Sequence, residues 1–341
     1  MATNPKLEFY CFELAPKNED EEKTFKDFII DELGGRRSHS DHQLFIRCYD
    51  YFVKQLSGEH AKDDKLKKRV KLEKKNNKHY SKRPSASAEN YIISGVINGG
   101  PYGRDGLISK SDDDNDNDPL KETNTILSYF YFLAYLPLDY DKGFFMIHSN
   151  SNDDSITRVF KGFITKIFKG KYYNTARPSS YCPQIFKDDF KEGAVLGTVQ
   201  FQNTFVENTF STNESYYDFG AYDIKIIATP KNKSVPAEAA PGFFEILRKK
   251  SFVFRDKNIN LEEFEKANYT TKNKKSKTER TFEWNKSDHD FVPVVQLKNR
   301  INSFYPDGTP DFVELHQFCI DIFHNEIIGE IRPDSYVAKL I

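Results

Sequence analysis

Apolar and polar residues alternate with period two over Leu7–Leu14, which predicts a strand with one buried face. Over Glu19–Leu33 the period lengthens. Phe25, Phe28, Ile29 and Leu33 share one stripe, and Gly34-Gly35 closes the expected helix. Gln43–Leu56 is periodic as well, but its apolar spacing fits a strand and a short helix equally. Tyr91–Ile97 and Gly106–Ser109 flank a glycine-rich connection and read as a hairpin, with Tyr102 and Arg104 at its tip as contact residues. A second hairpin is expected from Ile126–Pro137 and Gly143–His148. Its first strand is apolar on both faces and so belongs in the middle of a sheet.

The clearest helix has Ile156, Val159, Phe160, Phe163, Ile164, Ile167 and Phe168 on one side, with Asp153-Asp154-Ser155 ahead of it as capping chemistry. Downstream, a helix over Gln184–Lys191 and a strand over Ala194–Gln202 precede a polar stretch, Asn203–Tyr217. Then come a strand (Ala221–Ala228), a helix (Pro241–Lys250), a strand (Ser251–Arg255), a capped helix (Asn260–Lys266) and a polar hairpin (Lys272–Leu297). A helix over Pro310–Asn325 completes the order, with Phe312, Leu315, Phe318, Cys319 and Ile322 inward. Hairpin-joined strands with helices between them predict an α+β fold of mixed, mainly antiparallel sheets in two units. The polar stretch sets the expected division. Residues 1–205 form an N-terminal α+β domain with charged insertions at 62–90 and 110–122, and residues 216–341 form a C-terminal α+β domain.

Composition sharpens this picture. Aromatic residues make up 15% of the 341, with Phe and Tyr far outnumbering Met and Trp, which favours sheets over a helix bundle. The four cysteines are scattered and never spaced as C-x-x-C, so neither a disulfide framework nor a zinc ribbon is expected. The first ten residues carry no leader pattern, and the longest apolar run, Ile126–Leu138, is too short to span a bilayer. The expectation is a cytoplasmic protein with no membrane contact.

Charge supplies the sharpest clue. The net charge is −1, so no overall field draws the molecule to nucleic acid, and any such binding must be local. One segment has that local character. Between Lys62 and Arg83, eleven cations stand against three carboxylates. Lys65, Lys67, Lys68, Arg69, Lys71, Lys74, Lys75, Lys78, Lys82 and Arg83 are the candidate contacts to phosphate, each able to displace a counterion. A second cluster, Lys272, Lys274, Lys275, Lys277 and Arg280, has the same character, and Arg158, Lys161, Lys166, Lys169 and Lys171 on the polar side of the clearest helix extend such a face. The acidic run Asp112–Asp118 lacks the glycine and closing glutamate of a calcium loop and reads as a solvated hairpin tip.

Motifs for catalysis are weak. The segment Gly95–Gly106 has neither the Gly-Lys-Ser/Thr end of a phosphate loop nor dinucleotide-binding spacing. Asp218 and Asp223 with Lys225, or Asp307, Asp311 and Glu314, are the acidic groups that a metal-dependent nuclease would use. Arg37 and His42 match a bare R-x4-H spacing within a polar loop. No cofactor and no resident metal are expected. The sequence therefore points to a non-enzymatic binding protein that captures an anionic partner, nucleic acid, through its lysine-rich segments. An AT-rich composition suggests an accessory subunit of bacterial antiviral defence. A nuclease, and a scaffold subunit or homo-oligomer using its aromatic strands as an interface, are the alternatives.

Overall fold

The computed structural model describes residues 5–58, 61–72, 84–102, 106–109, 117–120, 128–150, 155–184, 194–206, 210–212, 215–217, 221–254, 257–264, 266–273, 278–285 and 290–332. The fold is α+β, and the contacts divide the chain into two units. One comprises residues 1–181 and 296–341, and the other residues 182–295. The division expected at 203–217 is not the one the contacts make. That polar stretch continues a strand and forms a small hairpin inside the second unit, while the last helices return to the first.

The strands of the first unit are β1 (Lys6–Glu13), β2 (Lys62–Asp63), β3 (Lys68–Lys71), β4 (Ser85–Ser87), β5 (Ile92–Pro101), β6 (Gly106–Ser109), β7 (Asn117–Leu120), β8 (Ser128–Tyr135), β9 (Lys142–Ser149) and β10 (Ser179–Ser180). Its sheet runs β10-β1-β9-β8-β5-β3-β2, every pairing antiparallel, with β4 also on β5. The β8/β9 hairpin forms as the sequence predicts, and β8 lies inside the sheet. The first expected hairpin does not form. β5 pairs with β8, and the short strand β6 pairs with β7 instead.

One face of this sheet carries α1 (Phe25–Leu33), α2 (Asp41–Leu56) and α3 (Thr157–Ile167). Capping boxes start the first two, Thr24 with Asp27 and Ser40 with Gln43. Gly34, at φ 69°, supplies the left-handed residue that ends α1. Rings lock the layers together. Phe168 stacks on Phe12 at 5.3 Å and meets Phe25 edge-on at 5.3 Å, while Phe52 of α2 meets Phe163 of α3 at 5.1 Å. A Cβ on Gly99 would come within 2.7 Å of Ile156 Cγ2, so the missing side chain lets the start of α3 lie against β5.

The opposite face is covered by the C-terminal segment, residues 312–332. Phe323 packs on Tyr135 at 4.9 Å and on Phe144 at 5.9 Å, and Arg332 grips Asp139 through two 2.8 Å hydrogen bonds. These contacts explain why residues 296–332 join the first unit.

The second unit is built on β11 (Val195–Val206), β12 (Phe210–Thr212), β13 (Ser215–Tyr217), β14 (Ala221–Ala228), β15 (Ser251–Phe254), β16 (Lys257–Asn260), β17 (Lys266–Asn273), β18 (Thr278–Asn285) and β19 (Asp290–Gln296). Its sheet follows β14-β11-β17-β18-β19, again antiparallel, and two small hairpins, β12/β13 and β15/β16, stand apart. The helix α4 (Ala240–Arg248) sets Phe244 on Phe201 at 5.2 Å and on Trp284 at 5.0 Å. The expected helix over 260–266 is a single 3-10 turn, Leu261–Glu263, capped by Asn260. The C-terminal helix α5 (Phe312–Ile322) starts from Asp311, whose carboxylate accepts from the Val313 and Glu314 amides. Among the described residues no helix is long and apolar enough to cross a membrane.

Candidate functional site

The lysine-rich run begins as the edge of the first sheet. Asp63 Oδ1 accepts from the amides of Lys65 and Leu66 at 3.0 and 3.1 Å, which closes the turn between β2 and β3. Asp63 is thus a turn-former, a role that its charge alone does not reveal. Lys68 lies opposite Pro101 and Lys71 opposite Asn98, so β3 extends the sheet beyond β5. The start of α3 is tied to this hairpin. Lys68 Nζ donates to the Ser155 carbonyl at 3.1 Å, and Arg158 Nε lies 3.6 Å from Asp63 Oδ2. Behind it, Thr157 Oγ1 donates to buried Glu8, which Lys6 approaches at 3.6 Å. The N-cap of α3, Ile156, makes no side-chain cap hydrogen bond, and carboxylates near a helix N-terminus are favoured by the helix dipole.

Tyr102 sits at the centre of the edge. Its amide donates to the Lys67 carbonyl at 2.8 Å. Lys67 Nζ and Arg69 Cζ each lie 5.8 Å from its ring centroid, within cation–π range. Its hydroxyl donates to Asp64 Oδ1 at 2.5 Å, and Lys62 stands 3.6 Å from the same carboxylate. That hydrogen bond, with the nearby lysines, holds the Asp64 carboxyl below its ordinary range. It also pushes the Tyr102 phenol up to about 12. At neutral pH the ring is an uncharged plate flanked by two cations.

The structure brings part of the expected basic surface together. Lys65 and Lys67 are exposed, and Lys68, Arg69 and Lys71 are partly so, all on or beside one edge. Arg158 joins them through Asp63. Lys161 instead lies over the Tyr10 ring at 4.8 Å, and Lys171 lies beyond the far end of α3, over Tyr172. Lys74, Lys75, Lys78, Lys82, Arg83 and Arg104 fall outside the described residues. Lys272 is exposed on β17 of the second unit, opposite Glu279, and Lys274, Lys275 and Lys277 again fall outside. Of the acidic run, only Asp118 has a described backbone, on β7.

The acidic groups proposed for metal chemistry have other duties. Asp307 accepts from the Thr309 amide at 2.9 Å, Asp311 caps α5, and Glu314 accepts from the amides of Asn302 and Ser303 at 2.8 and 2.9 Å. Asp218 falls outside the described residues; Asp223 lies opposite Thr204 in the sheet, and Lys225 is exposed. Among the described residues no three His, Cys, Asp or Glu side chains are grouped to hold a metal ion. His42 lies in the exposed first turn of α2, two residues after its capping serine. Compared with protein-family models and with curated proteins, the chain matches none.

Proposed function

We propose that the protein is a non-enzymatic binding protein, working in the cytoplasm, whose β2–β3 edge engages nucleic acid. The observation that carries this reading is that Lys67 Nζ and Arg69 Cζ each lie 5.8 Å from the Tyr102 ring centroid. Single-stranded nucleic acid is held by just such a pairing of aromatic plates for bases with cations for the backbone. Lys65, Lys71 and Arg158 widen the cationic border, and the lysines from Lys74 to Arg83 follow it directly in sequence. Asp63 and Asp64 hold the turn and orient the ring, and they moderate the positive field.

Fluorescence anisotropy with a labelled single-stranded oligonucleotide tests the proposal. Stacking on an aromatic ring is worth about 1–3 kcal/mol per base, so Tyr102→Ala is expected to weaken binding by about five-fold or more. Lys142→Ala, at the start of β9 opposite Glu13, is expected to leave affinity unchanged. An unaltered affinity for a folded Tyr102→Ala variant overturns the reading.

A further inference from the structure

We infer that the outer edge of the second unit's sheet is a self-association surface, and that its occupant is the same edge of a second copy of this chain. This inference is independent of the nucleic-acid reading.

β14 pairs with β11 over eight consecutive positions, from Val206 opposite Ala221 to Val199 opposite Ala228. Among the described residues no strand pairs with its other side. A row of backbone donors and acceptors therefore lies along a long edge, which is the template that strand addition uses. The strand also presents apolar surface there. Ile224 and Ile226 pack against the core of the unit, whereas Ile227 is 58% exposed.

The sequence of the strand selects its partner. When an antiparallel strand pairs with its own copy about a two-fold axis, the residue on the axis faces itself. With Ile224 on the axis, Asp223 stands opposite Lys225 of the second copy, and the same pair recurs on the other side. Tyr222 then faces Ile226, and Ile227 faces Ala221. The neighbouring registers lack this match. An axis at Asp223 sets Asp223 against itself, one at Lys225 sets Lys225 against itself, and one at Ile226 sets Lys225 against Ile227. Opposite charges directly across a strand pair stabilise it and like charges destabilise it. Charge thus singles out one register in which both ionic positions are matched twice.

Sedimentation velocity on the full chain over a range of concentrations tests this. The wild type is expected to form a dimer. Asp223→Lys and Lys225→Asp each place like charges opposite one another twice, and each is expected to weaken the dimer by on the order of ten-fold or more. The double variant carrying both substitutions restores the opposite-charge pairs and is expected to dimerise again, which separates loss of pairing from loss of folding. A wild type that stays monomeric at every concentration overturns the inference. So does a dimer that neither single variant weakens, or single-variant losses that the double variant fails to recover.

Discussion

The Tyr131 hydroxyl lies 2.7 Å from Nδ1 of His316, joining β8 to α5 across 185 positions of sequence. Burial lowers the His316 pKa and holds the Tyr131 phenol well above its ordinary value, so both are neutral at pH 7 and share an uncharged hydrogen bond. Removing the hydroxyl strands the imidazole in a half-buried site. Tyr131→Phe is expected to cost about 1 kcal/mol, read as a lower urea midpoint with an unchanged slope.

His148 is completely buried beside Phe130 and Phe312, and among the described residues neither ring nitrogen has a hydrogen-bond partner. Burial pushes its pKa down from 6.5 to about 3, with Asn150 acting in the opposite sense. The unfolded chain therefore takes up the proton first. The contribution of neutral His148 is intact above about pH 6.5 and is lost as pH falls toward 3, at up to about 1.4 kcal/mol per pH unit. Urea unfolding at pH 7, 5.5 and 4.5 checks this. His148→Leu is expected to be at least as stable as wild type at pH 7 and to lose less stability on acidification.

Much of this architecture is legible in the residue pattern, and the exceptions have physical causes. The β8/β9 hairpin and α3 were readable because their burial is one continuous, strongly periodic surface. The segment from Gln43 was ambiguous because its apolar positions satisfy two periods. The missing signal was Ser40 three residues before Gln43, a capping box that places the helix start at Asp41. The division into units was hidden for another reason. Asn203–Tyr217 is polar, yet its first residues continue β11 and residues 210–212 and 215–217 pair as a small hairpin, and the return of α5 to the first unit is a long-range contact that no local window carries. At the candidate site, the cations and Tyr102 were visible in sequence. The turn-forming role of Asp63 and the hydrogen bond to Asp64 were not, because carboxylates within a lysine run look like dilution of charge.

Asp64 tempers the proposed binding edge while orienting its ring. Replacing it with Asn keeps an acceptor for the Tyr102 hydroxyl and removes one negative charge beside Lys62 and Lys67. Asp64→Asn is expected to bind a single-stranded oligonucleotide a few-fold more tightly at low salt, with the gain shrinking as salt screens the edge. Anisotropy titrations at two salt concentrations provide the comparison. A weaker complex at low salt runs against the assigned geometry.

Counterion release offers the most direct test of whether this edge meets phosphates. Affinity for a single-stranded oligonucleotide should fall linearly on a logarithmic plot against salt, with a slope of about −0.7 for each phosphate neutralised. Substituting Lys65, Lys67 and Lys71 together by alanine is expected to make that slope shallower by about 2, leaving the fold intact by circular dichroism. An unchanged slope in the triple variant, or no salt-dependent binding by the wild type, contradicts an electrostatic role for the hairpin.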